Sequence, residues 1–175
     1  MQLDPEMAAL LRAQDYLKMG QRMEALVELR AILKRDVHHA GALTLVATTL
    51  AEMGRQREAI QLFEKLSAEN TKDYVVLNNL AWMQATATEP MLRNPERAIQ
   101  LARQALLLVP DSYSVWSTMA EAYYRNGQYH QALRAAQQMM LLAQEQKAEG
   151  PRMATFSEQL KKYREAADAF TLLDP

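Results

Sequence analysis

A spacing of small residues constrains this chain more than any other feature. Ala13, Ala47, Ala81 and Ala120 stand 34, 34 and 39 residues apart, whereas Ala25, Ala59, Ala98 and Ala132 stand 34, 39 and 34 apart. The two series disagree only about which interval is long, so five additional residues lie between Ala81 and Ala98, inside the third of four units. Gly20, Gly54 and Gly127 keep the same frame, 34 and then 73 residues apart. Self-similarity on this scale marks a chain of stacked supersecondary units, none of which can bury its apolar face alone. Alanine at a helix crossing lets two backbones approach without leaving a void. Glycine takes the left-handed conformation that ends a helix at low cost. The spacing predicts helix pairs over 6–18 and 22–35, 40–53 and 56–68, 74–87 and 95–108, and 113–126 and 129–147.

Local signals agree with that frame. Asn94-Pro95 is an N-cap and first-turn pair that starts the second helix of the third unit, and Asp4-Pro5-Glu6 reads the same way at the start of the chain. After a break at Gly150-Pro151, Phe156, Leu160, Tyr163, Ala167 and Phe170 recur at steps of three and four. They form one apolar stripe along a final helix over 154–172, expected to cover the exposed face of the fourth unit. The organisation expected is one domain: four units in residues 1–150 (about 6–39, 40–73, 74–112 and 113–147), with 151–175 as a capping helix of the same domain.

Two helices in a period of about 34 residues resemble the tetratricopeptide repeat (TPR) family. In the fourth unit Trp116, Met119, Ala120, Tyr123, Gly127, Tyr129 and Ala132 fall on the family's large, small, aromatic and glycine positions. The second unit matches through Leu43, Val46, Ala47, Leu50, Gly54, Ala59 and Phe63, and the third through Leu77, Leu80, Ala81, Ala98, Ala105 and Pro110. The stretches Asn78-Asn79-Leu80-Ala81-Trp82 and Asn94-Pro95-Glu96-Arg97-Ala98 resemble a lengthened, bacterial-type variant of the repeat. The first unit departs from the pattern, with Arg12 where an apolar residue is expected, as end units of solenoids often do. The resemblance implies an all-α fold, a right-handed α-solenoid of antiparallel helix pairs closed by the C-terminal helix. Leu3-Asp4-Pro5 and Leu173-Asp174-Pro175 both resemble the way a repeat ends, so the chain reads as a segment of a longer array.

Composition narrows the function. The net charge is -1, from 20 basic and 21 acidic residues spread along 175, so there is no basic field to neutralise a run of phosphates and no nucleic-acid partner is expected. There is no cysteine, which excludes disulfides and thiolate metal sites and suits cytoplasm and periplasm equally. No stretch approaches the roughly 20 apolar residues of a membrane helix, so no direct membrane insertion is expected. Glycine-rich phosphate loops and nucleophile elbows are absent from the sequence, and the five glycines sit at helix ends or joints. His38 and His39, with Asp36 nearby, read as a solvated turn between units, and Met139-Met140-Leu141-Leu142 reads as core. The expectation is a protein that is not an enzyme and has no cofactor.

The resemblance implies that the first helix of each unit lines an inner groove. Residues four and seven apart share a helix face, which places Thr44 and Thr48 in the groove from the second unit, Asn78 and Trp82 from the third, and Ser117, Glu121 and Tyr124 from the fourth. Asn79 and Arg125 flank it. Such a groove is polar, little charged and carries two aromatic rings. It lacks the cation cluster with which one subset of the family grips a C-terminal carboxylate. The implied function is docking of a peptide or helix of a partner protein. The alternatives are a scaffold that associates with its own copies, or an accessory segment of a larger secretion, envelope or enzyme assembly. Trp82 points to the groove, where an indole left in water brings no folding benefit. Its cover is either the chain's own insert, through Pro90, Met91 and Leu92, or a partner.

Overall fold

The computed structural model describes residues 4–148 and 150–173; Leu3, Asp174 and Pro175, read above as parts of repeat ends, lie outside them. Among the described residues the regular structure is helical throughout. In order it comprises α1 (Pro5–Lys18), α2 (Arg22–Leu33), α3 (Ala40–Glu52), α4 (Gln56–Glu69), α5 (Tyr74–Thr86), α6 (Pro95–Leu108), α7 (Tyr113–Arg125), α8 (Tyr129–Glu145) and α9 (Pro151–Leu173). Every boundary lies within three residues of its expected place. The largest difference is at α9, which starts at Pro151 because proline suits the first helical position, where no N–H is needed. The chain divides after Asn70 into two compact units.

In the first unit α1 pairs with α2, α3 pairs with α4, and α2 packs on α3. Its N-terminal core holds Ala9, Ala13, Leu29, Ile32 and Ala42, with Leu10, Leu26, Leu33, Leu45 and Val46 packed around them. The α3–α4 pair buries Ala47, Ala59, Ile60, Phe63 and Leu66. Arg12 stands at an apolar repeat position because its guanidinium reaches Glu28 on α2 at 2.9 Å while both remain in contact with water. The His38-His39 turn is only half solvated. His38 is exposed, but His39 is the N-cap of α3: its Nδ1 accepts from the Ala42 N–H at 3.0 Å and its Nε2 lies 3.0 Å from the Glu6 carboxylate. Asp4 precedes α1 without making a side-chain cap bond, unlike the capping expected of it.

The second unit contains the pairs α5–α6 and α7–α8, with α7 against both α5 and α6 and α9 along α8. Ala81, Ala98, Ala120 and Ala132 are all 0 % exposed, as small residues at helix crossings should be. Gly127 closes α7 at φ 73°, a conformation that side chains with a Cβ rarely adopt. The α5–α6 connection solves the same problem without glycine. Ala87 leaves α5 in extended backbone, a 3-10 turn spans Pro90–Leu92, and the Asn94 N–H returns to the Gln84 carbonyl at 2.8 Å. Asn94 then caps α6, its side chain accepting from the Arg97 N–H at 3.0 Å, with Pro95 in the first turn. In this insert Pro90 and Met91 are exposed, Met91 by 90 %, while Leu92 is half-buried. Met139 and Leu142 are buried, whereas Leu141 is half exposed, so the apolar run of α8 is core on one side only.

Overpacking should report whether the alanine frame carries the fold. Ala81→Leu is expected to lower stability by about 1–3 kcal/mol, while Arg103→Ala on the exposed side of α6 should change it by less than about 0.5 kcal/mol. Thermal or urea denaturation of both variants checks this. Equal melting of the two would mean that Ala81 does not sit at a tight crossing.

Candidate functional site

Helix α5 is apolar almost all round, burying Val76, Leu77, Leu80, Ala81, Met83 and Ala85. Its start is fixed by Asp73, whose carboxylate accepts from the N–H groups of Val75 and Val76 at 3.0 and 3.2 Å. This leaves Asn78, Asn79 and Trp82 as a polar and aromatic strip one turn long. Facing them on α7 are Ser114, Ser117 and Thr118, and the first turns of α9 add Arg152 and Phe156. Together with Tyr113 they line an open cavity of about 330 Å³.

Three features of the cavity are chemically distinct. Trp82 is 38 % exposed. The Asn78 side-chain oxygen is buried yet accepts no hydrogen bond from the described residues, a state that costs about 1–3 kcal/mol for a buried polar group. Arg152 donates through Nη1 to the Tyr113 hydroxyl at 2.7 Å, and the Tyr113 ring is held edge-on by Phe156 at 5.6 Å between centroids. A hydroxyl, a guanidinium and an indole thus border one concave space, with an unmatched acceptor buried in its wall.

Next to the cavity the same face of α7 is closed by α9. Contacts from Tyr113 to Phe156, Ser117 to Gln159 and Glu121 to Tyr163 advance together, so α9 runs in the same direction as α7. It therefore occupies the place that the first helix of a following unit would take. The anchor is Glu121, only 4 % exposed. One of its oxygens accepts from the Tyr163 hydroxyl at 2.7 Å and Lys162 Nζ at 2.9 Å, the other from Arg125 Nε at 2.6 Å. Lys162 Nζ also lies 4.1 Å from the centre of the Tyr124 ring. Burial pushes the Glu121 carboxyl up, but the hydrogen bonds from Tyr163, Lys162 and Arg125 outweigh it and hold the carboxyl below the usual range. Burial, and then the Glu121 charge, push the Tyr163 hydroxyl well above its ordinary value.

The residues expected to line one groove therefore have different fates. Asn78, Asn79, Trp82 and Ser117 come together at the cavity. Glu121, Tyr124 and Arg125 do not: they engage α9 or brace the residues that do, because α9 supplies the partners that a buried carboxylate requires. Thr44 and Thr48 belong to the first compact unit, half-buried on α3, where the Thr48 hydroxyl is turned back onto the Thr44 carbonyl at 2.9 Å. Sequence reasoning missed Ser114 and Thr118, although their four-residue spacing beside Ser117 was a visible polar stripe on α7. It missed Tyr113, Arg152 and Phe156 for a different reason, since nothing local indicates that the start of α9 meets α7.

Residues 12–170 match the family described as Psidin, N-terminal TPR repeats region. Among curated proteins, N-alpha-acetyltransferase 25, the NatB auxiliary subunit of Rattus norvegicus, is 33% identical over 129 residues, which are 72% of this chain and 12% of that protein's length. Two solved structures are similar in fold. A thermophilic TPR protein of Thermus thermophilus superposes with a TM-score of 0.76 at 16% identity, over 93% of this chain and 82% of its own. MamA of Desulfovibrio magneticus RS-1, from residue 41 onward, gives 0.67 at 17% identity, over 96% and 92%. At these identities the two structures show the repeat fold alone.

The Glu121 cluster makes stability depend on pH. Because the folded carboxyl titrates below its unfolded value of about 4.3, its contribution is complete above that value and disappears as pH falls through the lower folded value. The melting temperature of the native chain is expected to drop on acidification below about pH 4 more steeply than that of Glu121→Gln. At pH 7 that variant should be less stable by about 1–3 kcal/mol. Parallel melting-versus-pH curves for the two proteins would contradict the assignment.

Proposed function

Because the chain belongs to the family of Psidin N-terminal TPR repeat regions, we propose that its second compact unit docks an extended segment of a partner protein in the cavity lined by Asn78, Asn79 and Trp82. TPR arrays are protein-interaction modules, and the question particular to this chain is which surface does the work. The observation that carries the reading is Trp82, a large ring left 38 % exposed at the edge of a concave, polar-walled space. Tryptophan at such a place is the residue type that dominates binding hot spots. The insert between α5 and α6 is the competing cover: Met91 is 90 % exposed, Leu92 is half-buried, and none of Pro90, Met91 or Leu92 lines the space beside Trp82.

The buried carboxylate, Glu121, is saturated by three donors and has a structural task. The curated relative's description as an auxiliary subunit supports the same reading, in which this chain serves another protein. The chain spans a small part of that relative, so the role of the whole relative is carried over only to this extent.

The test uses a random displayed peptide library panned against the folded chain. Trp82→Ala is expected to weaken the enriched peptides by about 2 kcal/mol, close to thirtyfold, and Asn78→Ala by less. Both variants should melt within a few degrees of the native chain. Peptides indifferent to Trp82→Ala, or a loss of stability of the size typical for a core aromatic, about 3 kcal/mol or more, would overturn the reading.

A further inference from the structure

The charges around the cavity are unbalanced. Of the side chains that line it, Arg152 alone carries a full charge at neutral pH. Its hydrogen bond goes to a neutral hydroxyl, that of Tyr113, and among the described residues it is paired with no carboxylate. The other α9 cation near α7 is treated differently: Lys162 is seated on Glu121 at 2.9 Å. A guanidinium presents five N–H donors in a planar fork; the Tyr113 bond, itself steadied by Phe156, orients that fork, and most of its donors have no partner among the described residues. An arginine held in this way loses less conformational freedom on meeting an anion than a free one.

The rest of the lining is uncharged. An occupant that placed one carboxylate on Arg152 would meet the side-chain amides of Asn78 and Asn79, and amides pair with the backbone of an extended polypeptide whatever its sequence. The exposed face of Trp82 accommodates the apolar part of the same segment. On these grounds, and resting on the groove reading above, we propose that the cavity selects an acidic peptide. One aspartate or glutamate side chain of the partner sits on the Arg152 guanidinium, and its backbone runs past the Asn78 and Asn79 amides. A single fork matches one carboxylate, which separates this site from a clamp built of several cations around a chain terminus.

The experiment takes the Trp82-dependent peptides from the panned library, synthesised with acetylated N-termini and amidated C-termini. The enriched sequences are expected to contain aspartate or glutamate at a fixed place. Changing that residue to its amide should weaken binding to the native chain about tenfold but binding to Arg152→Gln less than about twofold, a coupling that identifies the pair. Affinity should fall as salt is raised from about 50 to 500 mM. Arg152→Glu should reverse the preference toward a lysine at the same place. Arg152 is exposed, so these variants are expected to fold; if Arg152→Gln melts early, Arg152→Lys replaces it, keeping the charge and losing the fork, with an intermediate affinity expected. Trp82-dependent binding that is blind to Arg152 and to acidic residues would overturn this inference and leave the groove reading in place. Binding only by peptides with a free C-terminal carboxylate would overturn it in favour of a terminus clamp. The absence of any Trp82-dependent peptide would remove both.

Discussion

Two helices can lie close along their length only where the side chains at their crossing are small, and this requirement organises everything else in the chain. Ala47 against the α4 side, Ala81 and Ala98 in the α5–α6 pair, and Ala120 and Ala132 in the α7–α8 pair are all fully buried. Their role is geometric: a larger side chain at any of these places would push the helices apart and move every residue on their outer faces. The strip formed by Asn78, Asn79 and Trp82 has its position because Leu77, Leu80 and Ala81 fix the rotation of α5 about its own axis. A functional surface on a repeat protein is in this sense a by-product of tight packing on the opposite side of the same helix.

The last helix decides how much of that surface stays open. By running alongside α7 it removes Glu121 from solvent, covers part of Tyr124 and converts a carboxylate into an internal anchor. A charge held in this manner is a weak source of net stability but a strong source of position, because any displacement of α9 would leave Glu121 buried without donors. The same helix contributes Arg152 and Phe156 to the edge of the cavity. Closing one part of the α7 face and charging another are two consequences of one docking geometry.

Much of the fold was legible because its determinants are local and recur. Asn94-Pro95, the alanine series and the glycines at helix ends each act over a few residues, and their repetition at 34 and 39 is enough to locate the insert. The reading of Trp82 as an outward ring was equally local, since about 100° per residue sets which side of α5 it takes. Arg12 shows where local logic stops. A charge at an apolar repeat position looks like a defect in the sequence, and becomes reasonable once Glu28, sixteen residues away on the neighbouring helix, is seen beside it.

Sequence alone thus determined the helix pairs, the length of their period and the side of α5 that bears Asn78 and Trp82, because hydrophobic periodicity and capping are encoded within one or two turns. Only the tertiary structure decided which of the outward residues are free. Glu121 is bound by groups 41 and 42 residues further along, and Arg152 reaches Tyr113 from 39 residues away. No local signal links those positions. Whether a polar side chain on an outward face meets water, a partner or its own chain depends on the direction taken by a later helix, and that direction is set by packing of whole surfaces and not by any short run of residues.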